Sequence, residues 1–291
     1  MTSDFVPAAG VFAGLLDDAA VFPPGNLPLG EALDAHAGHL RAPYAALVGS
    51  FVLAAKDLPV LAAAVTDLPA GSLDLSLTVP LPGLATALAA AAEIAAVELA
   101  GLEVTVPDAM PVVEMVSAID AALDGRPIPV FVELPRDERR PALVLALART
   151  PYRAKLRTGG VDAGLHPGEH ELAEAVSGLV SAGVPFKATA GLHHALRNTD
   201  AATGFEQHGF LNLIAATAAA GRGAGVDQVA AVLAERDAGR VVAAVSLADP
   251  SVREAFRSFG TCSVAEPVDE LAALGLLPAA WRSGQVHGVP A

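Results

Sequence analysis

The chain alternates short apolar runs with longer segments in which Ala and Leu recur at helical spacing. The short runs are rich in Val, Leu and Phe, which favour strands. The pattern predicts strands at 12–20, 44–54, 73–79, 96–106, 128–135, 152–160, 185–194 and 208–214. It predicts helices at 28–41, 57–67, 82–94, 109–123, 138–149 and 168–182, with Asp108 as the N-cap of the fourth helix. This alternation predicts an α/β fold built on a parallel sheet.

Eight strand–helix units in roughly 220 residues match a (β/α)8 TIM barrel. The eighth strand is ambiguous, because GFLNLIAATAAA has the pattern of a helix as much as that of a strand. An open doubly wound sheet is the alternative architecture. From about residue 221, segments such as VDQVAAVLAE predict extra C-terminal helices on the barrel exterior. We therefore expect residues 1–291 to form a single barrel domain.

The strands can be sorted into two faces, because successive side chains point to opposite sides. In the strand at 152–160, Lys155 and Arg157 alternate with Ala154 and Leu156. The same sorting assigns to the barrel interior the residues Asp74, Glu98, Glu133, Lys155, Arg157 and Lys187, with Asp17 or Asp18 from the first strand. Burying so many ionisable groups is costly unless they are paired. The interior is therefore either a functional site or a salt-bridged core without chemistry.

The amino-acid composition limits the classes of binding partner and the cellular compartment that we expect. The net charge is −14, which disfavours binding to a nucleic-acid backbone. Cys262 is the single cysteine, so a reducing compartment is favoured. The start MTSDFVPAAG lacks the basic region of a signal peptide, and glutamates interrupt the longest apolar run. We expect a cytoplasmic protein without a membrane segment. The sequence does not distinguish a monomer from a homo-oligomer.

Lysine usage points to chemistry, because only three of the 18 basic residues are lysines: Lys56, Lys155 and Lys187. Arginine cannot lose its proton near neutral pH, whereas lysine can. Lys155 and Lys187 are one βαβ unit apart, so we expect them on adjacent strands, both facing inward. Mutual repulsion and burial predict a lowered pKa for both amines. A neutral amine can attack a carbonyl group and form a Schiff base.

AKLRTGG and FKATAGLHH resemble the patterns K-x-(S/T)-x-G and K-A-(S/A)-G-G-I-R on strands six and seven of the deoxyribose-phosphate aldolase family of class I aldolases. LLDDAAVFPP is similar to the opening of that family. The resemblance implies that Lys155 is the Schiff-base lysine and that Lys187 lowers its pKa. It leaves Glu98 or Glu133 in the place of the family's proton-relaying aspartate. RTGG, FKATAGLHH and HGFLN together also resemble bacterial proteins of unassigned function.

The loop after the seventh strand reads AGLHH where the family has GGIR, so the resemblance does not imply a phosphate on the substrate. Arg157 and Arg197 are candidates for binding another anionic group, because arginine pairs with carboxylates in bidentate fashion. The full set of candidate substrate-binding residues is Asp17, Asp74, Arg157, Thr189, His193, His194, Arg197, His208 and Asn212.

The histidines suggest a metal site only weakly. His193, His194 and His208 with Asp17 are residue types that bind Zn²⁺, but H-x-H and H-E-x-x-H spacings are missing. Adjacent strand residues face opposite sides, so one of His193 and His194 is expected to face the site. We expect no metal and no other cofactor.

The resulting hypothesis is an aldolase-like lyase that acts through Lys155 on a small carbonyl substrate, with anionic carbonyl compounds included. Lys187 would tune the amine, and Glu133 or Glu98 would move protons. One alternative is a cofactor-independent isomerase or epimerase that uses the two lysines for proton transfer. Others are a metal-dependent hydrolase or lyase using the three histidines, and a ligand-binding barrel without catalysis.

Overall fold

A computed structural model describes residues 8–108 and 110–282, and within them eight parallel strands close into a barrel. The barrel strands are β1 (Leu16–Asp18), β2 (Val48–Ala54), β3 (Leu73–Pro80), β4 (Val97–Thr105), β5 (Val130–Glu133), β6 (Arg153–Arg157), β7 (Phe186–Thr189) and β10 (Phe256–Thr261). Their order around the barrel is β1-β10-β7-β6-β5-β4-β3-β2. The predicted (β/α)8 TIM barrel is confirmed, and the open doubly wound alternative is wrong.

Helices surround the barrel and connect its strands. They are α1 (Ala8–Phe12), α2 (Leu29–His39), α3 (Leu58–Ala64), α4 (Leu84–Ala92), α5 (Val112–Leu123), α6 (Arg140–Leu147), α7 (Glu169–Ser181), α8 (Phe210–Gly221), α9 (Val226–Ala234), α10 (Ala238–Ser246), α11 (Val252–Ala255) and α12 (Ala265–Ala273). A two-stranded antiparallel sheet, β8 (Asn198–Thr199) and β9 (Glu206–Gln207), lies in the loop after β7. None of the described helices has both the length and the apolar content needed to cross a bilayer.

The predicted eighth strand at 208–214 is wrong, because this segment forms the start of α8. The eighth barrel strand is β10, which follows three further helices and closes the barrel between β1 and β7. Every residue from Phe210 to Ala219 is buried, since α8 packs against α7, α9 and α10. A helix buried on all sides has no polar face, so its sequence lacks the amphipathic pattern that distinguishes helix from strand.

The predicted division of the strands into two faces is confirmed for the central strands. Leu75, Leu77, Ala154, Phe186 and Ala188 are fully buried in the hydrophobic core that includes the helices. Ser76, Lys155 and Lys187, which are neighbours of these residues in sequence, point to the barrel interior, where Lys155 pairs in register with Lys187. The apolar layer between barrel and helices therefore fixes which side chains face inward.

A β-bulge in β4 changes which acidic residues face inward. Asp74 of β3 pairs with Glu98 of β4. Ser76 follows Asp74 by two residues, but its partner Gly101 follows Glu98 by three. One extra residue in β4 reverses the alternation beyond that point. As a result Glu103, which strict alternation from Glu98 would send outward, faces the interior.

The fourth predicted helix begins later than expected. α5 starts at Val112 with Pro111 as its N-cap residue, so Asp108 is not the N-cap. Asp108 instead lies in an exposed loop and forms an ion pair with Arg139. The chain between β4 and α5 is consequently a longer loop at the carboxyl ends of the strands.

Candidate active site

Six ionisable side chains from five strands meet inside the barrel. They are Asp17 of β1, Glu103 of β4, Glu133 of β5, Lys155 and Arg157 of β6, and Lys187 of β7, and they are called the inner cluster below. Three positive and three negative groups alternate, so the formal charges cancel. The cluster extends toward the carboxyl ends of the strands, where catalytic groups of such barrels lie.

Lys187 is the most completely buried member of the inner cluster, with a side chain that is 1% exposed. Its Nζ donates to Oδ2 of Asp17 at 2.6 Å and to Oε1 of Glu103 at 2.6 Å. The ring of Phe131 lies against it, with 5.4 Å between Nζ and the ring centroid. The buried ammonium group is thus neutralised by two carboxylates and an aromatic face.

Lys155 lies beside it, between two glutamates. Its Nζ is 3.2 Å from Oε2 of Glu103 and 2.9 Å from Oε2 of Glu133. Arg157, two residues further along β6, donates from Nε to Oε1 of Glu133 at 3.3 Å. Glu133 and Arg157 are half-buried, and they form the outer end of the cluster toward the barrel opening.

Two serine hydroxyl groups bind the Asp17 carboxylate, and a glycine leaves room for it. Ser258 donates to Oδ2 at 2.6 Å, while the hydroxyl and backbone N–H of Ser50 both lie 3.2 Å from Oδ1. Ser50 also contacts Ser76, with 2.7 Å between the hydroxyl oxygens. A Cβ at Gly49 would come within 2.3 Å of Oδ1 of Asp17, so this position requires glycine. These contacts fix the carboxylate that faces Lys187.

The ionisation of the cluster follows from these pairs. Burial acts to raise the pKa of Glu103, but Lys187 and Lys155 outweigh it and hold this pKa at about 2. Burial likewise opposes ionisation of Glu133, whose pKa is nevertheless lowered by Lys155 and Arg157. Burial lowers the pKa of Lys187 less than Asp17 and Glu103 raise it, so its net shift is upward. The prediction of a lowered pKa for Lys187 is therefore wrong, because sequence spacing does not reveal the carboxylates between the lysines.

Two predicted carboxylates do not join the cluster. Asp74 and Glu98 pair in register near the amino-terminal ends of β3 and β4, and both are exposed. Glu98 lies five residues upstream of Glu103, which corresponds to about 16 Å of extended strand. Glu103 was not among the predicted site residues, and the bulge that turns it inward has no clear sequence signal apart from Gly101. Of the two candidate aspartates in β1, Asp17 faces the cluster.

Asp18 is oriented differently and forms a separate buried pair. Its Oδ2 lies 3.0 Å from Nδ1 of His36 in α2, and its Oδ1 accepts a hydrogen bond from the backbone N–H of Ala20. Neither contact involves the inner cluster, so Asp18 joins the end of β1 to the neighbouring helix.

The ends of β6 and β7 approach each other closely above the cluster. Thr189 pairs in register with Arg157 on the inner face. Beyond them, a Cβ at Gly159 would come within 2.8 Å of the Cα of Gly191. Ala190 adopts φ of 63°, a left-handed conformation that is unfavourable for alanine. The loops after β6 and β7 are thus tightly packed, and backbone strain lies next to the cluster.

The histidine pair after β7 is directed to other partners. Nδ1 of His193 lies 3.4 Å from Sγ of Cys262, and Nδ1 of His194 lies 2.6 Å from Oε1 of Glu270. Burial and then the neighbouring Glu266 raise the pKa of the Cys262 thiol, which disfavours a reactive thiolate. Neither histidine contacts the inner cluster through a hydrogen bond or ion pair in the described structure.

Arg197 and His208, in the loop after β7, form a second buried group with Asn212 of α8. Arg197 pairs with Glu169 at 2.7 Å and with Glu206 at 3.3 Å. Nε2 of His208 lies 2.8 Å from the carbonyl oxygen of Pro167, while Oδ1 of Asn212 accepts from the backbone N–H of Arg197 at 2.9 Å. These contacts stabilise the loop, and none of the partners belongs to the inner cluster.

The structure does not gather the histidines into a metal site. Among the described residues, no group of three or more His, Cys, Asp or Glu side chains is placed to hold a metal ion. His193, His194 and His208 each face a different partner, so they do not converge with Asp17 as a ligand set.

Comparisons with known proteins do not assign a family. The chain matches no protein-family model, and no curated protein matches it. The resemblance to the deoxyribose-phosphate aldolase family therefore stays a prediction from the two lysine segments. What is established is the fold, which is common among enzymes, together with the geometry of the inner cluster.

Proposed function

We propose that this protein is a class I aldolase-like lyase that acts on a small carbonyl substrate through a Schiff base on Lys155. One observation carries the proposal: Lys155 and Lys187 share the carboxylate of Glu103. Because Glu103 lies within 3.2 Å of both amines, it is within reach to relay a proton between them. Glu103 thus takes the proton-transfer role that the sequence had assigned to Glu98 or Glu133.

The choice of Lys155 over Lys187 follows from position. Lys155 contacts Glu133, whose side chain is 18% exposed and lies at the carboxyl end of β5. Lys187 is completely enclosed by Asp17, Glu103 and Phe131. A carbonyl compound that enters from the barrel opening therefore meets Lys155 first, while Lys187 contributes a buried positive charge.

The reaction requires a neutral amine. The Lys155 ammonium passes one proton by way of Glu133, the partly exposed carboxylate beside it, to solvent, and the freed amine attacks the carbonyl carbon. Loss of the carbonyl oxygen as water gives a protonated imine. Cleavage of the bond between the α carbon and a hydroxyl-bearing β carbon sends its electron pair toward the imine nitrogen and forms an enamine, while a carboxylate accepts the proton of the β-hydroxyl group, whose carbon departs as the aldehyde. Protonation of the enamine carbon and hydrolysis then regenerate Lys155.

The polar end of the substrate is assigned to the outer end of the cluster. Arg157 is half-buried, and its guanidinium group forms a hydrogen bond to Glu133 through Nε. Thr189 lies beside it on the inner face. A carboxylate or hydroxyl group on the substrate would bind to these two residues, which suits an anionic carbonyl compound.

A second candidate is an isomerase or epimerase that uses the same residues without a covalent step. It is favoured by the position of Lys155 between two carboxylates at 2.9 and 3.2 Å. An ion-paired ammonium group donates a proton to a substrate, and the carboxylate of Glu133 can remove one from it. Such a reaction leaves no adduct on the lysine.

Borohydride trapping tests the proposal. The purified protein is incubated with a panel of small aldehydes and ketones, reduced with sodium borohydride, and analysed by intact mass and peptide mapping. We expect one reduced adduct on Lys155. The Lys155→Met variant should lose this adduct, whereas Lys56→Met, which removes an exposed lysine, should retain it.

The alternatives give different results. If no carbonyl compound of the panel labels Lys155 while the amino terminus and Lys56 are labelled, the Schiff-base proposal fails. Exchange of substrate hydrogens with solvent deuterium that depends on Lys155, without any adduct, would identify the isomerase. A bound small molecule that is neither converted nor exchanged would identify a ligand-binding barrel.

The setting that we propose is the cytoplasm, because the single thiol of Cys262 suits a reducing compartment. The partner is a small molecule. A net charge of −14 disfavours nucleic acid as a partner, and one or several subunits are compatible with this function.

A further inference from the structure

A cavity of about 320 Å³ opens beside the inner cluster, between the loops that follow β4 and β5. We call it the side cavity. Its walls are mainly apolar and include Val106, Met110, Met115, Leu134, Pro135 and Leu143. Its polar wall includes Thr105 and Glu133, the last residues of β4 and β5. A volume of this size is at the lower end of the range for small-molecule sites, about 300–1,000 Å³.

The side cavity is connected to Lys155 through Glu133. Oε2 of Glu133 lies 2.9 Å from Nζ of Lys155 and also accepts a hydrogen bond from Thr105 at 3.4 Å. Both Thr105 and Glu133 line the cavity. Lys155 itself does not line the cavity, and Glu133 is the side chain that lies between them. A substrate whose carbonyl carbon reaches Lys155 would therefore have to extend its next atoms beside Glu133 to enter the cavity.

The charged residues at the rim are already paired. Arg139 donates to the backbone oxygen of Asp108 and contacts its carboxylate at 3.1 Å, which joins the two loops across the cavity. Arg139 is also paired with Asp137. The remaining charged lining residue, Glu133, is bound to Lys155 and Arg157. An anionic or cationic ligand group thus finds no unpaired opposite charge among the lining residues, whereas an apolar chain finds matching walls.

We propose that the side cavity binds the apolar chain of the carbonyl substrate, so that the substrate class is an aldehyde or ketone with an unbranched alkyl substituent. This inference rests on the proposed function, because the carbonyl group would react at Lys155. At roughly 30 Å³ for a group of the size of a water molecule, a chain of about ten carbon atoms fits, so a hexyl chain is well within the capacity of the side cavity. The polar end would remain at Arg157 and Thr189.

Binding of straight-chain alcohols tests the cavity without the chemistry, because an alcohol cannot form a Schiff base. Dissociation constants are measured for the series from 1-propanol to 1-octanol by isothermal titration or ligand-observed NMR. We expect affinity to rise about fourfold for each added methylene group until the cavity is full, which corresponds to about 0.8 kcal/mol per methylene. Equal affinity along the series would overturn the inference.

Two cavity-filling variants and one control variant locate the binding. Ala142→Phe fills the cavity from an exposed position in α6, and Met110→Trp fills it from the loop after β4. Ala148→Phe makes the same change as the first variant, also at an exposed position, but outside the cavity. We expect Ala142→Phe and Met110→Trp to weaken binding of 1-hexanol at least tenfold and Ala148→Phe to leave it unchanged. Unchanged binding in both filled variants would overturn the inference.

Trapping with two aldehydes separates this inference from the proposed function. In Ala142→Phe, we expect acetaldehyde to label Lys155 as in the wild type and hexanal to label it at least tenfold more slowly. Equal labelling by hexanal in both proteins would contradict the chain-binding role. If neither aldehyde labels Lys155 in the wild type, the Schiff-base function fails and the substrate class falls with it, while the alcohol series still decides whether the cavity binds apolar chains.

Discussion

Lys187 and Glu103 form an ion pair of 2.6 Å in which both side chains are at most 3% exposed. The two residues are 84 positions apart in the chain and meet because β4 and β7 face each other across the barrel interior. Breaking a buried ion pair by removing one partner leaves an uncompensated charge, which is far more costly than removing the whole pair. This pair therefore couples barrel stability to the proposed chemistry.

Replacing Glu103 by Gln should destabilise the protein strongly. The change removes the carboxylate between two ammonium groups, and leaves Lys187 with Asp17 and Lys155 with Glu133. Because each lysine keeps one carboxylate partner, we expect the free energy of unfolding to fall by about 2–3 kcal/mol in urea denaturation, the cost of two lost hydrogen bonds to charged groups. Glu98→Gln is the matched control on the same strand, because that side chain is exposed, and its effect should stay within about 0.5 kcal/mol. Equal losses would show that Glu103 does not stabilise the cluster.

The two lysines should differ in their effect on stability. Lys187→Met deprives Asp17 of its ammonium partner and leaves that buried carboxylate with hydroxyl and backbone donors. Lys155→Met leaves a cation beside each affected carboxylate, because Glu103 keeps Lys187 and Glu133 keeps Arg157. We expect a loss of about 3–5 kcal/mol for Lys187→Met and about 1–2 kcal/mol for Lys155→Met.

Urea denaturation of both lysine variants at pH 7 measures this difference. Lys56→Met, at an exposed lysine outside the cluster, gives the baseline for removing a lysine from the chain. The opposite order, with Lys155→Met the more destabilised, would contradict the assignment of Lys187 as the structural member of the pair.

His208 should make stability depend on pH below neutrality. Burial, followed by the charge of Arg197, lowers the pKa of His208 from 6.5 to about 4. As the pH falls from about 6.5 to 4, the unfolded chain therefore takes up a proton that the folded protein does not, and the free energy of unfolding decreases. The slope should approach 1.4 kcal/mol per pH unit at most.

Variants isolate this contribution. His208→Gln keeps a nitrogen donor for the carbonyl oxygen of Pro167 but cannot be protonated, so its unfolding free energy should change less between pH 7 and pH 5. His170→Gln, at an exposed histidine, should retain the slope of the wild type. Urea denaturation at both pH values makes the comparison, and identical slopes in all three proteins would refute the role of His208.

Asn212 should prove structural, although the sequence suggested a substrate contact. Its side-chain Nδ2 donates to the backbone oxygens of Val232 at 3.0 Å and Glu235 at 2.7 Å, while Oδ1 accepts from Arg197. In Asn212→Asp a carboxylate oxygen would face those two carbonyl oxygens inside the protein. We expect a loss of about 2–4 kcal/mol in thermal or urea unfolding.

The control for Asn212 is Asn198→Asp. Asn198 is half-buried, and its Nδ2 donates to the single carbonyl oxygen of Leu196. Its stability should change by no more than about 1 kcal/mol. Unchanged stability of Asn212→Asp, together with altered binding of an identified substrate, would restore the original interpretation of Asn212.

The sequence by itself determined the barrel and much of its inner face. The alternation of strands and helices sufficed for the fold, and period-two sorting identified Lys155, Lys187, Glu133 and Arg157 as inward-facing. These predictions hold because a strand's apolar face must pack on the helices, so the opposite face is fixed at the same time. This information is local, because it depends only on the order of apolar and polar residues within each strand.

Three features depend on the tertiary structure, because they arise from contacts between segments that are distant in the sequence. The bulge in β4 turns Glu103 inward, since one extra residue reverses the faces and only the pairing with β3 shows where it lies. The eighth strand, β10, pairs with β1 and β7 across the whole chain, while the apolar segment that resembled it became the enclosed helix α8. The ionisation of Lys187 was likewise beyond the sequence, because it depends on Asp17 and Glu103, which only the closure of the barrel brings within 2.6 Å.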